Sequence, residues 1–295
     1  MSEPHTAKKQ QTPYTFSTWL YQFLSGATIG LINATAVTPI INYNNHILAQ
    51  KTHLDKKIPG FKYTNAFNGL SSYNMSYVLR ISIAMSLNNL FMHKLEKLYG
   101  EVNDSSKLLS AIVAGGIAGS AASLSEAIAQ TQLCQLSKNE PKLSSFAIIK
   151  EAYKCNGLFS LSRGMQAMMV RSAGVTTGAL GLMPLCSQQI RQKMGDHPIA
   201  EVLSAIICGL IVGPMTTPPN ELRFRMQENF IIKGSVPTYA QLIKNAYQSN
   251  MGLSHLFLGV KPRTAISIIT MLIIAEGDKL CHLYSSDVLS AGPNN

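Results

Sequence analysis

Charge is what this sequence has least of. Only 14% of its 295 residues are Asp, Glu, Lys or Arg, against 46% hydrophobic. The scarcity is concentrated. Gln10 to Gln50 holds no charged side chain, Tyr63 to His93 holds only Arg80, and Gly164 to Ile190 holds only Arg171. Each tract exceeds the roughly 20 residues that a helix needs to cross a bilayer. Smooth runs of Leu and Ile are also missing. Asn, Ser, Thr and Gln recur throughout, which suits a bundle of helices around a watery path with polar faces inward. Buried helices of a large soluble enzyme are the alternative reading of the same stretches.

Other absences narrow the function. The five cysteines, Cys134, Cys155, Cys186, Cys208 and Cys281, are odd in number and form no C-x-x-C, so neither a disulfide framework nor a zinc site is indicated. His46 and His93 stand alone, and no metal-binding or Ser/His/Asp pattern occurs, so the chain reads as a non-enzyme without cofactor. The net charge is +10, but dispersed, without basic runs interleaved with aromatics, which argues against a nucleic-acid partner. Met1 to Pro13 is polar and lacks a signal-peptide core, so targeting is expected to rely on internal signals.

What is present is organised around Pro218 to Gln227. Fifteen uncharged residues, Leu203 to Thr217, run into Pro218, and Asn220, Arg223, Arg225 and Gln227 follow. Proline lacks an N–H and kinks an apolar helix, and Asn220 and Arg223 share a face at i,i+3. The unit recurs. Gly26-x-x-x-Gly30 precedes Pro39, Gly115-x-x-x-Gly119 precedes Ile128, and Ala205-x-x-x-Gly209 precedes Pro218, always by nine residues. These anchors lie 89 and 90 residues apart. Small-x-x-x-small pairs let membrane helices approach closely.

The second halves repeat as well. Asn156 to Gly164 matches Met251 to Gly259, each after an amphipathic stretch (Phe146 to Tyr153, Tyr239 to Tyr247) and before an apolar helix. Only a shadow remains in the first unit, at Tyr73 to Arg80. The expectation is an all-α membrane protein of six transmembrane helices at about 17–44, 73–98, 107–135, 164–190, 199–227 and 261–284. They form three pseudo-symmetric repeats (17–98, 107–190, 199–284) with short surface helices. A polar segment 1–16 precedes the domain and a polar tail 285–295 follows it. The basic long loops (Lys51, Lys56, Lys57, Lys62; Lys138, Lys142, Lys150, Lys154) are expected on the negative side of the membrane, with both termini opposite.

With this grammar the chain resembles the mitochondrial carrier family, whose odd helices end in Pro-x-acid-x-x-base. Pro218-x-Asn220-x-x-Arg223 matches best, with Asn in place of the acid. Among these carriers it is most similar to the ADP/ATP carriers, through Thr35-Ala36-Val37-Thr38-Pro39-Ile40 and through Arg80 followed eight residues later by Asn88. The resemblance implies an inner-mitochondrial-membrane carrier working by alternating access, with both termini in the intermembrane space.

It also implies site residues. Arg80 and Arg171 fall at central contact positions, with Arg263 a turn below the third; Asn88 is a further substrate candidate. Arg263, near a helix end, is also placed to snorkel to a headgroup, and Arg171 to pair with Glu126. The matrix gate maps to Ile41/Asn44, Gln130/Leu133 and Asn220/Arg223, and the opposite gate to His93/Glu96, Pro184/Ser187 and Asp278/Cys281. No complete ion pair survives at these positions, so a soft gate resting on hydrogen bonds and packing is expected. Gly157, Arg163, Gly164, Gly252 and Gly259 match cardiolipin-binding positions. Nucleotides of the ATP/ADP kind are the expected cargo. Arg171-Ser172 favours di- or tricarboxylates instead, and the eroded gates would also fit a non-transporting docking platform.

Overall fold

Three times, a pair of glycines on one long helix presses against the backbone of the helix that follows it. Gly26 and Gly30 leave no room for a Cβ beside Ser82 and Val78; Gly115 and Gly119 do the same beside Ala173 and Met168, and Gly209 and Gly213 beside Ile268 and Thr264. A Cβ at Gly26 would stand 2.6 Å from the Ser82 Cα, and one at Gly213 2.6 Å from the Thr264 Cα. In the third unit the contact pair is therefore Gly209/Gly213, one turn beyond the expected Ala205/Gly209.

These contacts come from a computed structural model that describes residues 15–52, 66–67, 69–100, 102–137, 143–195, 197–228, 237–249 and 252–290. The fold is all-helical, with no strand among the described residues. The helices are α1 (Phe16–Thr52), α2 (Leu70–Tyr99), α3 (Asp104–Ser137), α4 (Ser145–Asn156), α5 (Met165–Thr176), α6 (Met183–Met194), α7 (Ile199–Glu228), α8 (Tyr239–Gln248) and α9 (Val260–Ser290). Short 3₁₀ turns, Leu158–Ser162 and Gly252–Phe257, lead into α5 and α9. The long helices pack in a closed ring: α1 on α2, α2 on α3, α3 on α5, α5 and α6 on α7, α7 on α9, and α9 back on α1.

Three of them, Phe16–Ile47, Asp104–Gln132 and Ile199–Gln227, are long and apolar enough to cross a membrane by length and composition. The other three long stretches of the six expected spans are helical, but Ser, Asn, Gln and late charges keep them below that apolarity. The stretch expected as one helix over 164–190 is α5 and α6 joined by a π-helical turn, Thr177–Leu182. Pro184, at the start of α6, has no N–H for the regular ladder, and the wider turn absorbs the missing bond. Helix α9 runs on to Ser290, into the expected tail, while 1–14 and 291–295 lie outside the described residues.

Pro39 and Pro218 sit inside helices that continue past them, α7 carrying Pro214 and Pro219 as well. Just before these prolines, Thr38 donates to Ala34 O at 2.5 Å and Thr217 to Gly213 O at 2.8 Å, back-bonds that bend a helix. The surface helices start where capping chemistry puts them. Ser144 accepts from the Ala147 N–H, and Thr238 and Gln241 form a reciprocal capping box.

Gly69, Gly164 and Gly259, at an even 95-residue interval, open α2, α5 and α9 with φ of 74°, 76° and 77°. Only glycine takes that conformation freely. Their nearest foreign neighbours follow a cycle: Ala129 on α3, Gln227 on α7 and Asn44 on α1. Gly69 is the first-unit counterpart that sequence comparison missed.

The ring has an apolar exterior, and many polar side chains share its interior with an apolar cluster. Val170, Leu210 and Met215 face outward, whereas Asn33, Asn45, Glu126, Gln130, Arg80, Arg171, Arg223 and Arg263 are buried inside. A wide apolar exterior over a polar interior is the pattern of a protein solvated by lipid.

Candidate functional site

Between the C-terminal half of α2, the π turn and α6, the middle of α9 and the first turn of α7 lies an open cavity of about 830 Å³. Its polar wall includes Asn88, Asn89, Ser187, Gln188 and Gln192. Asn88 lines the cavity while its Oδ1 accepts a hydrogen bond from the Ser110 hydroxyl of α3 at 2.8 Å, so it serves helix packing as well. At the rim, Glu201 pairs with both Arg191 and Lys279, joining α6, α7 and α9. A narrower chamber continues inward past Met85, Ala179, Leu180 and Ile274 to Arg80, Thr176 and Thr270.

Arg80 lies over the Tyr77 ring, 4.2 Å from its centroid. It is 4% exposed, and its Nη1 has no hydrogen-bond partner; neither does the Tyr77 hydroxyl. Beyond it the floor is built around one carboxylate. Glu126 on α3 pairs with Arg171 on α5 and with Arg223 on α7, the latter at 3.0 Å, and accepts from the Ser76 hydroxyl of α2 at 3.3 Å. Arg223 also donates to Gln227 at 2.9 Å and to Asn220 at 3.2 Å, and Gln227 reaches Ser123 O on α3 at 3.5 Å. Asn45 closes the α1 side, donating to the Tyr73 hydroxyl at 3.1 Å and to Gln130 at 3.3 Å. Arg263 on α9 donates to Thr216 at 3.4 Å.

Several expectations change here. The floor is not held by hydrogen bonds and packing alone, because the Glu126–Arg223 ion pair lies in it. Glu126 precedes Gln130 by four residues and so shares its face, one turn toward the cavity. Asn45, not Asn44, makes the bond to α3. The Asn44 Oδ1 has no hydrogen-bond partner and lies against Gly259. Arg171 is paired with Glu126 rather than standing open to the cavity. Arg263 is 3% exposed and faces Thr216, so it does not snorkel. Leu133, Asp278 and Cys281 lie outside the described side chains. Glu126 was visible in the sequence as the one acid of α3 beyond its first-turn Asp104, but only the crossing of three helices shows what it holds.

The glycines matched to lipid positions act first as turns. The Gly157 N–H donates to Tyr153 O at 2.7 Å and the Gly252 N–H to Ser249 O at 2.9 Å, so neither is left for a phosphate. At the start of α5 the Ala167 N–H donates to the Tyr239 hydroxyl of α8 at 3.4 Å, which ties two units together. Arg163 is buried beside Gly164.

The charge balance is unusual. Around Glu126 stand four buried guanidiniums, Arg80, Arg171, Arg223 and Arg263, against that one carboxylate. Arg80 Nη1, Arg171 Nε and Arg223 Nε make no hydrogen bond. Burying unpaired cations is costly, and the forked guanidinium of Arg80, which lines the chamber inward of the open cavity, suits phosphate or carboxylate oxygens. Compared with models of known protein families and with curated protein sequences, the chain gives no match.

Proposed function

We propose that the chain is a carrier of anionic solutes: six membrane spans in three pseudo-symmetric repeats, moving nucleotides of the ATP/ADP kind by alternating access. The observation that carries this reading is the excess of buried guanidiniums over carboxylate among the described residues around Glu126, with Arg80 lining the chamber inward of the open cavity. Supporting it are the closed ring of long helices, the thrice-repeated glycine contacts and the apolar exterior. Four arginines against one glutamate leave three positive charges. Nucleoside di- and triphosphates carry roughly three to four negative charges at neutral pH, and a cavity of this volume is of ligand size. The inner mitochondrial membrane, with both termini in the intermembrane space and cardiolipin at the link glycines, remains part of the proposal through the family resemblance.

In the conformation described, the cavity is open on the side of the α2, α6 and α9 C-termini and closed by the Glu126 floor. Cargo enters past the Asn and Gln wall, meets Arg80, and reaches the arginines that also hold the floor. Exchange of access then requires the floor contacts to part while the rim comes together. A tricarboxylate satisfies the same three charges and is the second reading.

Reconstitution into cardiolipin-containing liposomes tests the proposal, with labelled ATP, ADP, phosphate, malate and citrate offered outside. Saturable nucleotide uptake is the expected result. Citrate uptake alone would replace nucleotide with tricarboxylate. No uptake of any anion by folded, inserted protein would overturn the carrier reading in favour of a docking platform.

A further inference from the structure

The carboxylate that holds the floor also occupies Arg171, which lies buried inward of the chamber that Arg80 lines. A single oxygen of Glu126, Oε1, is shared between Arg171 Nη1 and Arg223 Nη1, and the other oxygen takes the Ser76 hydroxyl. Neither arginine grips the carboxylate in the two-bond fork that makes such pairs strong. The Nε of each is buried without a hydrogen-bond partner. Glu126 thus joins α2, α3, α5 and α7 through contacts that a second anion can replace one at a time.

We infer that Glu126 is an internal stand-in for the cargo: an incoming anion takes over Arg171, and the displaced carboxylate loosens its hold on Arg223 and Ser76, coupling cargo binding to opening of the floor. The idea rests on the anion transport proposed above. Glu126 is a positioning residue, since it acts on cargo through Arg171. The electrostatics favour the exchange. Arg80 and Arg263 stand near the same carboxylate, so an anion bringing more negative charge than Glu126 satisfies four guanidiniums better than one carboxylate does. An empty carrier keeps its floor closed because Glu126 supplies the only carboxylate described there. A loaded carrier no longer needs it.

The experiment compares wild type, Glu126→Gln and Ser76→Ala in detergent, following thermal unfolding over a range of ATP concentrations, and then ATP uptake in liposomes. Glu126→Gln removes the competing charge. Its empty form is expected to melt below wild type, yet its half-saturating ATP concentration should fall about tenfold, as for loss of one competing ion pair. In liposomes its KM should fall without a matching rise in kcat. Ser76→Ala keeps every charge but leaves one carboxylate oxygen without its hydrogen bond, so half-saturation should fall about two- to threefold with a modest loss of stability.

A merely structural Glu126 would lower the melting temperature and leave half-saturation unchanged or raised, which would overturn the inference. Should Glu126→Gln fail to fold, unchanged half-saturation in Ser76→Ala overturns it alone. Wild-type protein that no ATP, pyrophosphate or citrate stabilises contradicts the anion-carrier reading itself and removes this inference with it. Wild-type binding with unmoved variants contradicts only the role of Glu126.

Discussion

Asn45 ties α1 to α2 and α3 at the floor with one amide, which donates to Tyr73 and to Gln130. Asn45→Ala leaves those acceptors unserved and is expected to cost about 1–2 kcal/mol. Asn44→Ala, which removes an oxygen without a hydrogen-bond partner, should cost less; thermal unfolding of the two variants side by side gives the order. His255, on the 3₁₀ turn before α9, is held below the ordinary histidine range by burial and by the nearby Arg225. Its contribution to stability is therefore present above the unfolded value and lost as pH falls through the lowered one. His255→Asn should flatten the acid limb of a melting-temperature profile. At this scale the sequence displayed the isolated arginines plainly, because a charge in an uncharged tract stands out. It hid their partners. Glu126 lies one turn from the position where an acid was sought, and Asn45 sits beside the residue chosen by spacing, so a shift of one or four residues moved both contacts.

Helices α1, α3 and α7 each carry a packing instruction as a pair of glycines, and the faces differ sharply in tolerance. Gly119 presses on Met168 O and the Ser172 side chain, whereas Gly116, one position round the same helix from Gly115, meets nothing. Gly119→Leu should force α3 and α5 apart at a cost of about 3 kcal/mol or more, and Gly116→Leu should be nearly neutral. Unfolding temperature and the yield of monodisperse protein separate them. The helices themselves were legible, since long stretches with almost no charge and glycine-capped links mark where they run. The π turn at Thr177–Leu182 was not, because it reflects how Pro184 is accommodated within a continuous stretch. The polar residues of α2, α5, α6 and α9 serve the interior but lower the apolarity by which a span is recognised.

For the molecule as a whole, the apolar exterior, the polar side chains within and the closed ring argue together. Polar residues inside a ring with an apolar outer surface gain from lipid outside and an anion or water within. The all-helical class was readable from charge scarcity, but of the three charge-poor tracts only Gln10 to Gln50 holds a helix apolar enough to span; Asp104–Gln132 and Ile199–Gln227 were marked by the repeat instead. The balance of four arginines against one glutamate was not, because the residues come from α2, α3, α5, α7 and α9 and meet only in the folded ring. The most direct measurement is the initial rate of ATP uptake into liposomes by Arg80→Gln against wild type at equal insertion. Arg80 has an unpartnered donor at the base of the open chamber and no role in the floor ion pairs. The account predicts a fall on the order of a hundredfold, as for truncating one partner of a buried charge pair. An unchanged rate in the variant would contradict it.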